Sequence, residues 1–234
     1  PAGIAISPDS RYAYVANEGS NNVSLIDLQR EVVVNTIPVG SVPQGLALSP
    51  DGDWVYVANF GSNSVSAIAA ARNEVAAEIA VGEGPVGLAV SPDGRFVYAG
   101  NFKAGSLSIV DTALHHEIGA IRTGAETFGV AVSQNGSQVY AVSGKERQVV
   151  VVDAQSRLVR QRASLGGGPF KLAVAPEEPL AFRLRHLWMT LFAVSLVALV
   201  LACLQSQQRS EVSLRWCLVA VFVLSVSLRF SGLG

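Results

Sequence analysis

The chain has 234 residues, a formal net charge of −1 and only two cysteines. Both cysteines, Cys203 and Cys217, lie in the apolar C-terminal part, which excludes a disulfide framework and a Cys-x-x-Cys metal or haem motif. Residues 1–179 hold 12 basic against 17 acidic residues, and this balance argues against a nucleic-acid partner. No phosphate-binding or catalytic motif is visible, so we predict no cofactor, no bound metal and no catalytic residue.

One sequence pattern recurs four times at a spacing of 42 residues, without insertion or deletion. It is clearest at 7–17, 49–59 and 91–101, where Ser-Pro-Asp leads into a segment rich in tyrosine and valine. A weaker copy follows at 133–140. Periods of 40 to 45 residues built from short strands are typical of β-propeller blades.

The first repeat contains four short apolar segments, at 3–7, 12–17, 23–27 and 32–37. They are rich in Val, Ile and Tyr and too short for helices, so we predict four strands per unit. Both faces of these segments are largely apolar, which predicts that a neighbouring blade covers each side. The predicted fold class is therefore all-β, a propeller of four-stranded antiparallel blades.

The period sets the blade boundaries. It places blades at 1–42, 43–84, 85–126 and 127–168, and the first strand of a fifth blade at 169–176. A closed four-bladed ring has no room for a fifth innermost strand, because the first strand already fills that position. We therefore interpret residues 1–176 as part of a larger ring and the chain as a piece of a longer protein. The alternative is an open arc whose terminal faces are covered by a partner.

The tetrapeptide at 14–17, Tyr-Val-Ala-Asn, and its copy at 56–59 resemble the Tyr-Val-Thr-Asn signature of the YVTN β-propeller repeats. Ser-Pro-Asp-Gly turns accompany it, and the resemblance covers roughly residues 1–176. It weakens along the chain: the copy at 98–101 keeps only the ends, and the copy at 140–143 loses the asparagine. The resemblance implies a bacterial or archaeal surface or periplasmic protein.

The repeat stops after Pro176, and we predict a linker at 177–186. Residues 187–204 form an uncharged run of 18, close to the ~20 residues of a membrane-spanning helix. A second apolar run at 216–228 is shorter. Residues 187–234 are therefore predicted to form a transmembrane helix or a helical hairpin. A shifted reading frame or a fusion is the alternative origin of this tail.

Residues that recur at every step of 42 are predicted to be structural. The repeated aspartates should hold turns, and the repeated asparagines Asn17, Asn59 and Asn101 should bond to backbone at strand ends. Function is expected where the repeats differ, on the rim shared by the loops between second and third strands and the loops that open each unit.

The candidate binding residues on this rim are aromatic or charged. Such residues resemble a recognition surface more than a reaction centre, and the alternative is that they are ordinary loop residues folded over the core. The candidates are Glu18, Phe60, Phe102, Lys103, Lys145 and Phe128, and Glu83, Glu126, Glu146 and Phe170 also vary there.

His115 and His116 form the only histidine pair, and histidine is a common metal ligand and general base. The period places this pair between the third and fourth strands, on the opposite rim and at the outer edge. We therefore predict a solvated turn there rather than a ligand or a catalytic group.

The leading functional hypothesis is a non-enzymatic binding or scaffold protein of the cell envelope. The tail would anchor it in the membrane, with the propeller in the periplasm or at the cell surface, and its rim would recognise a protein or another envelope component. The first alternative is a lactonase-like propeller enzyme, although the innermost strands at 3–6, 45–48 and 87–90 carry no ionisable side chain. The second is the propeller portion, or an accessory, of a periplasmic redox enzyme.

Overall fold

The computed structural model describes residues 1–167, 169 and 172–174. They belong to the first of the two units into which the chain divides, Pro1–Pro176. The described residues form β-strands in four separate four-stranded sheets, and their helical structure is one 3₁₀ turn at Glu18–Ser20. The prediction of an all-β fold built from four-stranded antiparallel blades is confirmed.

Each sheet lies within one unit of 42 residues, and its strands follow chain order from first to fourth. The first blade contains β1 Ile4–Ile6, β2 Tyr12–Asn17, β3 Asn22–Asp27 and β4 Val32–Pro38. The second contains β5 Pro43–Leu48, β6 Trp54–Asn59, β7 Ser64–Ala69 and β8 Glu74–Ala80. The third contains β9 Pro85–Val90, β10 Phe96–Asn101, β11 Ser106–Asp111 and β12 His116–Arg122. The fourth contains β13 Thr127–Val132, β14 Gln138–Ser143, β15 Gln148–Asp153 and β16 Val159–Ser164.

The Ser-Pro-Asp-Gly segments form the predicted tight turns between first and second strands. The hydroxyl of Ser49 donates to Asp51 Oδ1 at 2.5 Å, and the Trp54 N–H donates to Ser49 Oγ at 2.9 Å. Gly52 adopts a left-handed φ of 81°, which glycine reaches without steric cost. In the fourth blade Asn135 replaces the aspartate and accepts the same two kinds of bond, from Ser133 Oγ at 2.8 Å and the Ser137 N–H at 3.0 Å.

The repeated asparagines bond to side chains, so the prediction that they bond to backbone was wrong. Asn59 is fully buried, and its Nδ2 donates to Ser64 Oγ at 3.1 Å and to Ser66 Oγ at 2.8 Å. Asn59 pairs with Ser64 across β6 and β7, so serine hydroxyls on the adjacent strand are the nearest acceptors. Asn101 bonds Ser106 and Ser108 in the same way.

Three hydrophobic clusters lie between neighbouring blades. Each combines a buried tyrosine from the second strand of one blade with buried valines of the next. Burial of such apolar surface on both faces of a blade provides the main stabilisation of stacked sheets. The tyrosines are Tyr14, Tyr56 and Tyr98, and the valines facing them include Val57, Val97 and Val139.

The first strands of neighbouring blades pack most closely, as the innermost strands of a propeller do. A Cβ on Gly45 would overlap the carbonyl oxygen of Val86, and a Cβ on Gly87 would overlap that of Phe128. Glycine is therefore required here by the close approach of two backbones.

The outward face of the first blade is exposed within the described part of the chain. Ile4 and Ile6 of β1 are 66% and 57% exposed. Their repeat equivalents, Leu46 and Leu48, are partly buried against the cluster between the first and second blades. The exposed pair thus marks the half of an interblade contact that no described residue completes.

Several predictions fall on the C-terminal part. In the predicted fifth-blade strand at 169–176, the described residues Pro169 and Leu172–Val174 have no strand assignment. The predicted linker at 177–186 and the predicted helices at 187–234 lie outside the described residues. Within the described residues, no helix has the length and apolar character that crossing a membrane requires.

Candidate functional site

Three phenylalanines from consecutive blades meet on one rim. Phe60 and Phe102 follow β6 and β10 directly, and their ring centroids are 6.2 Å apart. Phe128 lies in β13, with its centroid 4.8 Å from that of Phe102. All three side chains are half-buried. Their tilted packing forms a continuous aromatic surface of the kind that aromatic pairs favour.

Backbone hydrogen bonds place these rings. The Phe60 N–H donates to the Val42 carbonyl at 3.0 Å, and the Phe102 N–H donates to the Gly84 carbonyl at 2.8 Å. Each bond joins a loop between second and third strands to the loop that opens the following unit. The two sets of loops therefore share one rim, as expected.

Gly84 allows Lys103 to approach the Phe60 ring. Its φ is 64°, and an added Cβ would lie 3.0 Å from Lys103 Cγ and 3.1 Å from Phe60 Cε2. With glycine there, Lys103 Nζ sits 4.5 Å from the centroid of the Phe60 ring. This distance is within the range of a cation–π interaction.

A cleft of about 320 Å³ lies on this rim, and we call it the aromatic cleft. Glu18 stands at the repeat position that Phe60 and Phe102 occupy in the next two blades. A carboxylate therefore belongs to the first-blade side of the cleft, and aromatic rings belong to the other blades. The lining residues are Glu18, Val42, Gln44, Phe60, Val86, Phe102 and Phe128.

The fourth blade completes this rim with a different set of side chains. Gly144 takes the repeat position of Phe102, and an added Cβ would lie 2.7 Å from Phe128 Cε2. Glycine thus leaves space for the Phe128 ring. Glu146 accepts hydrogen bonds from the Ser143 hydroxyl and, at 3.1 Å, from the Ala125 N–H, and in that order these bonds lower the pKa of the Glu146 carboxyl.

The structure brings most of the predicted site residues together. Glu18, Phe60, Phe102 and Phe128 line the aromatic cleft, and Lys103 lies over the Phe60 ring. Lys145 is exposed and is not among the lining residues. The roles of these residues in binding stay a prediction.

Other varying rim residues have backbone roles or lie outside the described part. The Glu83 carbonyl accepts from the Lys103 N–H at 3.2 Å, and the Glu126 carbonyl accepts from the Gly144 N–H at 2.9 Å. Phe170 lies outside the described residues. Sequence comparison of the repeats missed Val42, Gln44 and Val86 as lining residues. The available signal was position, because Gln44 and Val86 are in register with Phe128 at steps of 42.

The chemistry of the aromatic cleft is that of binding. The first strands β1, β5, β9 and β13 contain no acidic, basic or histidine side chain. In the described part of the chain, no group of three or more His, Cys, Asp or Glu is placed to hold a metal ion. The cleft offers an apolar aromatic floor with a carboxylate at one side and an ammonium group over one ring.

His115 differs from the predicted solvated turn. It lies between β11 and β12 as expected, but its ring packs edge to face on Trp54 of the second blade, with centroids 4.9 Å apart. Its Nδ1 is buried and has no hydrogen-bond partner among the described residues. The prediction failed because it placed the turn at a free edge, whereas the neighbouring blade covers this ring. His116 is exposed as the first residue of β12.

Comparison with protein families gives one partial match. A model described as a lactonase with a seven-bladed β-propeller matches residues 1–76. No curated protein matches the chain. The family match thus supports the propeller fold over the first part of the chain.

Solved structures match over a longer region. Kuenenia stuttgartiensis hydrazine synthase is 27% identical with a TM-score of 0.68, over 70% of this chain and 49% of that chain. A functionally unknown protein from Desulfotomaculum acetoxidans is 24% identical with a TM-score of 0.62, over 72% and 57%. A putative 6-phosphogluconolactonase from Bacteroides uniformis is 18% identical with a TM-score of 0.63, over 72% and 55%.

The chain spans about half the length of these solved proteins. The matches do not name the YVTN repeats, so that resemblance stays a prediction. The repeated four-stranded sheets, the interblade clusters and the matches all agree on the architecture. The chain is a β-propeller protein.

Proposed function

We propose that this protein is a non-enzymatic binding propeller whose aromatic cleft receives an apolar group of a protein partner. The observation that supports it is the meeting of Phe60, Phe102 and Phe128, from three different blades, in one cleft. Aromatic side chains are enriched among the residues that contribute most to protein binding. Scattered exposed aromatics would not have this significance, whereas a continuous surface does.

The aromatic cleft is ordered before any partner arrives. The rings already pack on one another, and backbone bonds from Val42 and Gly84 fix the loops that carry two of them. Binding therefore loses little side-chain entropy in these residues, which favours affinity for a given contact area.

The charges beside the cleft give the proposed partner a preferred direction. Glu18 belongs to the first blade and Lys103 to the third. A partner segment would therefore place a basic group toward Glu18 and an acidic group toward Lys103, with its apolar side chain between them. Such complementarity contributes to orientation and specificity more than to raw affinity.

The test is a peptide selection with the full chain in a non-ionic detergent. A library of displayed random peptides is selected on the wild type, and the enriched peptides are titrated against Phe60→Ala and Phe102→Ala. Each substitution should weaken binding about tenfold or more, as expected for an anchor that contributes ~1.4 kcal/mol.

Tyr12→Ala is the matched control, because Arg11 lies 5.0 Å above the Tyr12 ring in a similar pair on the opposite rim. It should leave affinity unchanged. Equal loss in Tyr12→Ala, or no loss in either phenylalanine variant, would show that the enriched peptides bind elsewhere.

The cellular setting is proposed from the tail. An uncharged stretch at 187–204 would anchor the protein in a membrane, with the propeller outside the cytoplasm. Val197→Arg should impair insertion, because a basic residue at the centre of a span costs about 2.5–3.5 kcal/mol. Fractionation of cells that express each form is the measurement, and recovery of the wild type in the soluble fraction without detergent would refute the anchor.

A lactonase-like enzyme is the second candidate, favoured by the family match over residues 1–76. Glu18 is the carboxylate among the described residues that line the aromatic cleft, so it would serve as the base that activates water. Hydrolysis of 6-phosphogluconolactone by the purified full chain, lost in Glu18→Gln, would support this candidate. Absence of hydrolysis at millimolar substrate would leave the binding role in place.

The propeller portion of a larger redox enzyme is a third candidate, because the chain is 27% identical to a hydrazine synthase over 70% of its length. The check is the complete coding sequence around this chain. A haem-attachment motif in the same reading frame would favour the redox enzyme, and a frame without one would count against it.

A further inference from the structure

The rim opposite the aromatic cleft carries crevices between neighbouring blades. Each has a second-strand tyrosine beside it and Ser-Pro-Asp turns in its walls. The first crevice, between the first and second blades, has a volume of about 600 Å³ and is lined by Tyr14 and by the turns of both blades. The third crevice, beside Tyr98, is about half as large, at about 310 Å³.

One repeat position accounts for the difference. It lies in the turn between third and fourth strands, has a left-handed φ, and holds Asn73, His115 or Arg157 in successive blades. His115 packs on Trp54 in the second crevice, where Tyr56 is fully buried. Arg157 reaches back to the Ile118 carbonyl at 3.3 Å. Asn73 is the shortest of the three side chains, so the first crevice stays open.

Two polar groups in the first crevice lack partners among the described residues. Tyr14 is only 4% exposed and lines the cavity, yet its hydroxyl makes no hydrogen bond there. Burial, then Tyr12 and Asp9, raise the pKa of Tyr14, so the hydroxyl stays protonated at neutral pH. The Oδ1 atom of Asn73 is buried and unpartnered. A buried polar atom without a partner is unfavourable, so both groups are suited to a ligand.

The charge in the first crevice is negative. Asp9, Asp51 and Asp53 all line it. Hydrogen bonds from Ser7 and Ser49, first among the causes, lower the pKa of Asp9 and Asp51, so these carboxylates are ionised at neutral pH. Their Oδ1 atoms hold the turns, and no described residue bonds their Oδ2 atoms.

The remaining walls are apolar or aromatic. Pro8, Leu25 and Val34 line the same cavity, with the Tyr12 ring beside them. The Arg11 guanidinium lies 5.0 Å from the centroid of that ring, so this ring already carries a cation at its face. The first crevice therefore combines carboxylates, an unpartnered acceptor, an unpartnered hydroxyl and an aliphatic wall.

We propose that the first crevice binds a primary alkylammonium group, supplied by a free aliphatic amine or by the lysine side chain of a peptide. The ammonium donates to the Asp9 and Asp51 carboxylates and to Asn73 Oδ1, and its aliphatic stem lies along the apolar wall. Hydrogen bonds to charged groups are stronger than neutral ones. An anion would be repelled, and a neutral polyol would leave the carboxylates without a counter-charge.

The experiment titrates cadaverine and the peptide acetyl-Gly-Lys-Gly-amide into the full chain in a non-ionic detergent, followed by calorimetry. We expect saturable binding of one or both probes with a Kd of about 1 mM or tighter. The probe that binds more tightly identifies the source of the amine. Neutral 1-pentanol and xylitol test the apolar and the polyol alternatives, and neither should bind.

Two substitutions taken from other repeats should weaken amine binding about tenfold or more. Asp9→Asn removes one charge and keeps the turn, because Asn135 accepts the same bonds at this position of the fourth blade. Asn73→His introduces the side chain found at 115, where the left-handed φ already accommodates histidine. The matched control is Asp93→Asn in the third crevice, which should leave the affinity unchanged.

The proposal is overturned by any of three results. The first is the absence of saturable binding by either amine. The second is binding of pentanol or xylitol as tight as that of cadaverine. The third is an equal loss of affinity in Asp93→Asn and Asp9→Asn, because that would indicate general attraction to an acidic surface. Thermal unfolding of each variant checks that the blades remain folded.

Discussion

Lys103 of the third blade holds its ammonium group 4.5 Å from the centre of the Phe60 ring, which belongs to the second blade. The contact therefore crosses a blade boundary at the aromatic cleft. Because Lys103 is exposed, its attraction to the ring amounts to about 0.5–1 kcal/mol. Its main effect is to fix the orientation of Phe60, which Gly84 makes possible by leaving space for both side chains.

Removing the Lys103 charge should affect binding more than folding. Lys103→Met keeps an unbranched stem and should lower the free energy of unfolding by less than about 1 kcal/mol. Peptides selected on the wild type with an acidic residue should lose affinity for this variant. Lys145→Met is the control, because Lys145 is exposed outside the cleft. Urea unfolding and peptide titration are the measurements, and equal effects of both variants would contradict the assignment.

The buried asparagine of the second strand should be important for stability. Asn101→Ala removes the bonds from Nδ2 to Ser106 Oγ at 3.0 Å and Ser108 Oγ at 2.7 Å. Because the site is fully buried, we expect a loss of about 1–3 kcal/mol in the free energy of unfolding. Asn135→Ala in an exposed turn of the fourth blade is a milder comparison. An unchanged urea midpoint for Asn101→Ala would mean that the two serines find other partners.

A methyl group between two inner strands should separate the blades. Gly45→Ala places a Cβ against the Val86 carbonyl, and such overpacking typically costs about 1–3 kcal/mol. Gly19→Ala is the matched control, because no atom lies within 4 Å of a Cβ there. We expect a lower unfolding midpoint for the first variant and little change for the second. Equal midpoints would show that the inner strands can shift apart freely.

Stability should fall in acid as the turn aspartates become protonated. The N–H and hydroxyl of Ser156, followed by Arg160, lower the pKa of Asp153 from 3.8 to about 2. A lowered pKa in the folded state means that the stabilisation is complete above pH 3.8 and is lost as the pH falls toward about 2. Asp153→Asn should therefore differ most from the wild type above pH 4 and approach it below. A constant difference down to pH 2 would exclude this linkage.

The repeat period was enough to predict the sheets, because a gapless step of 42 residues places every strand and turn in register. It also placed Phe60 and Phe102 on one rim. Two features depended on contacts between blades, which a repeat pattern does not contain. Phe128 reaches the cleft because Gly144 leaves it space, and His115 is covered because Trp54 of another blade lies against it. Local spacing carries no information about either pair.

The glycine contact between inner strands also bears on how such a chain can grow. The same overlap of a missing Cβ with a carbonyl oxygen recurs between Gly3 and Gln44, Gly45 and Val86, and Gly87 and Phe128. Every junction is thus the same joint, with the radius of curvature set by backbone rather than by side chains of varying size. Duplication or deletion of one 42-residue module would create no junction of a new type. Variation in module number among propellers of this kind then requires no compensating change in the inner strands.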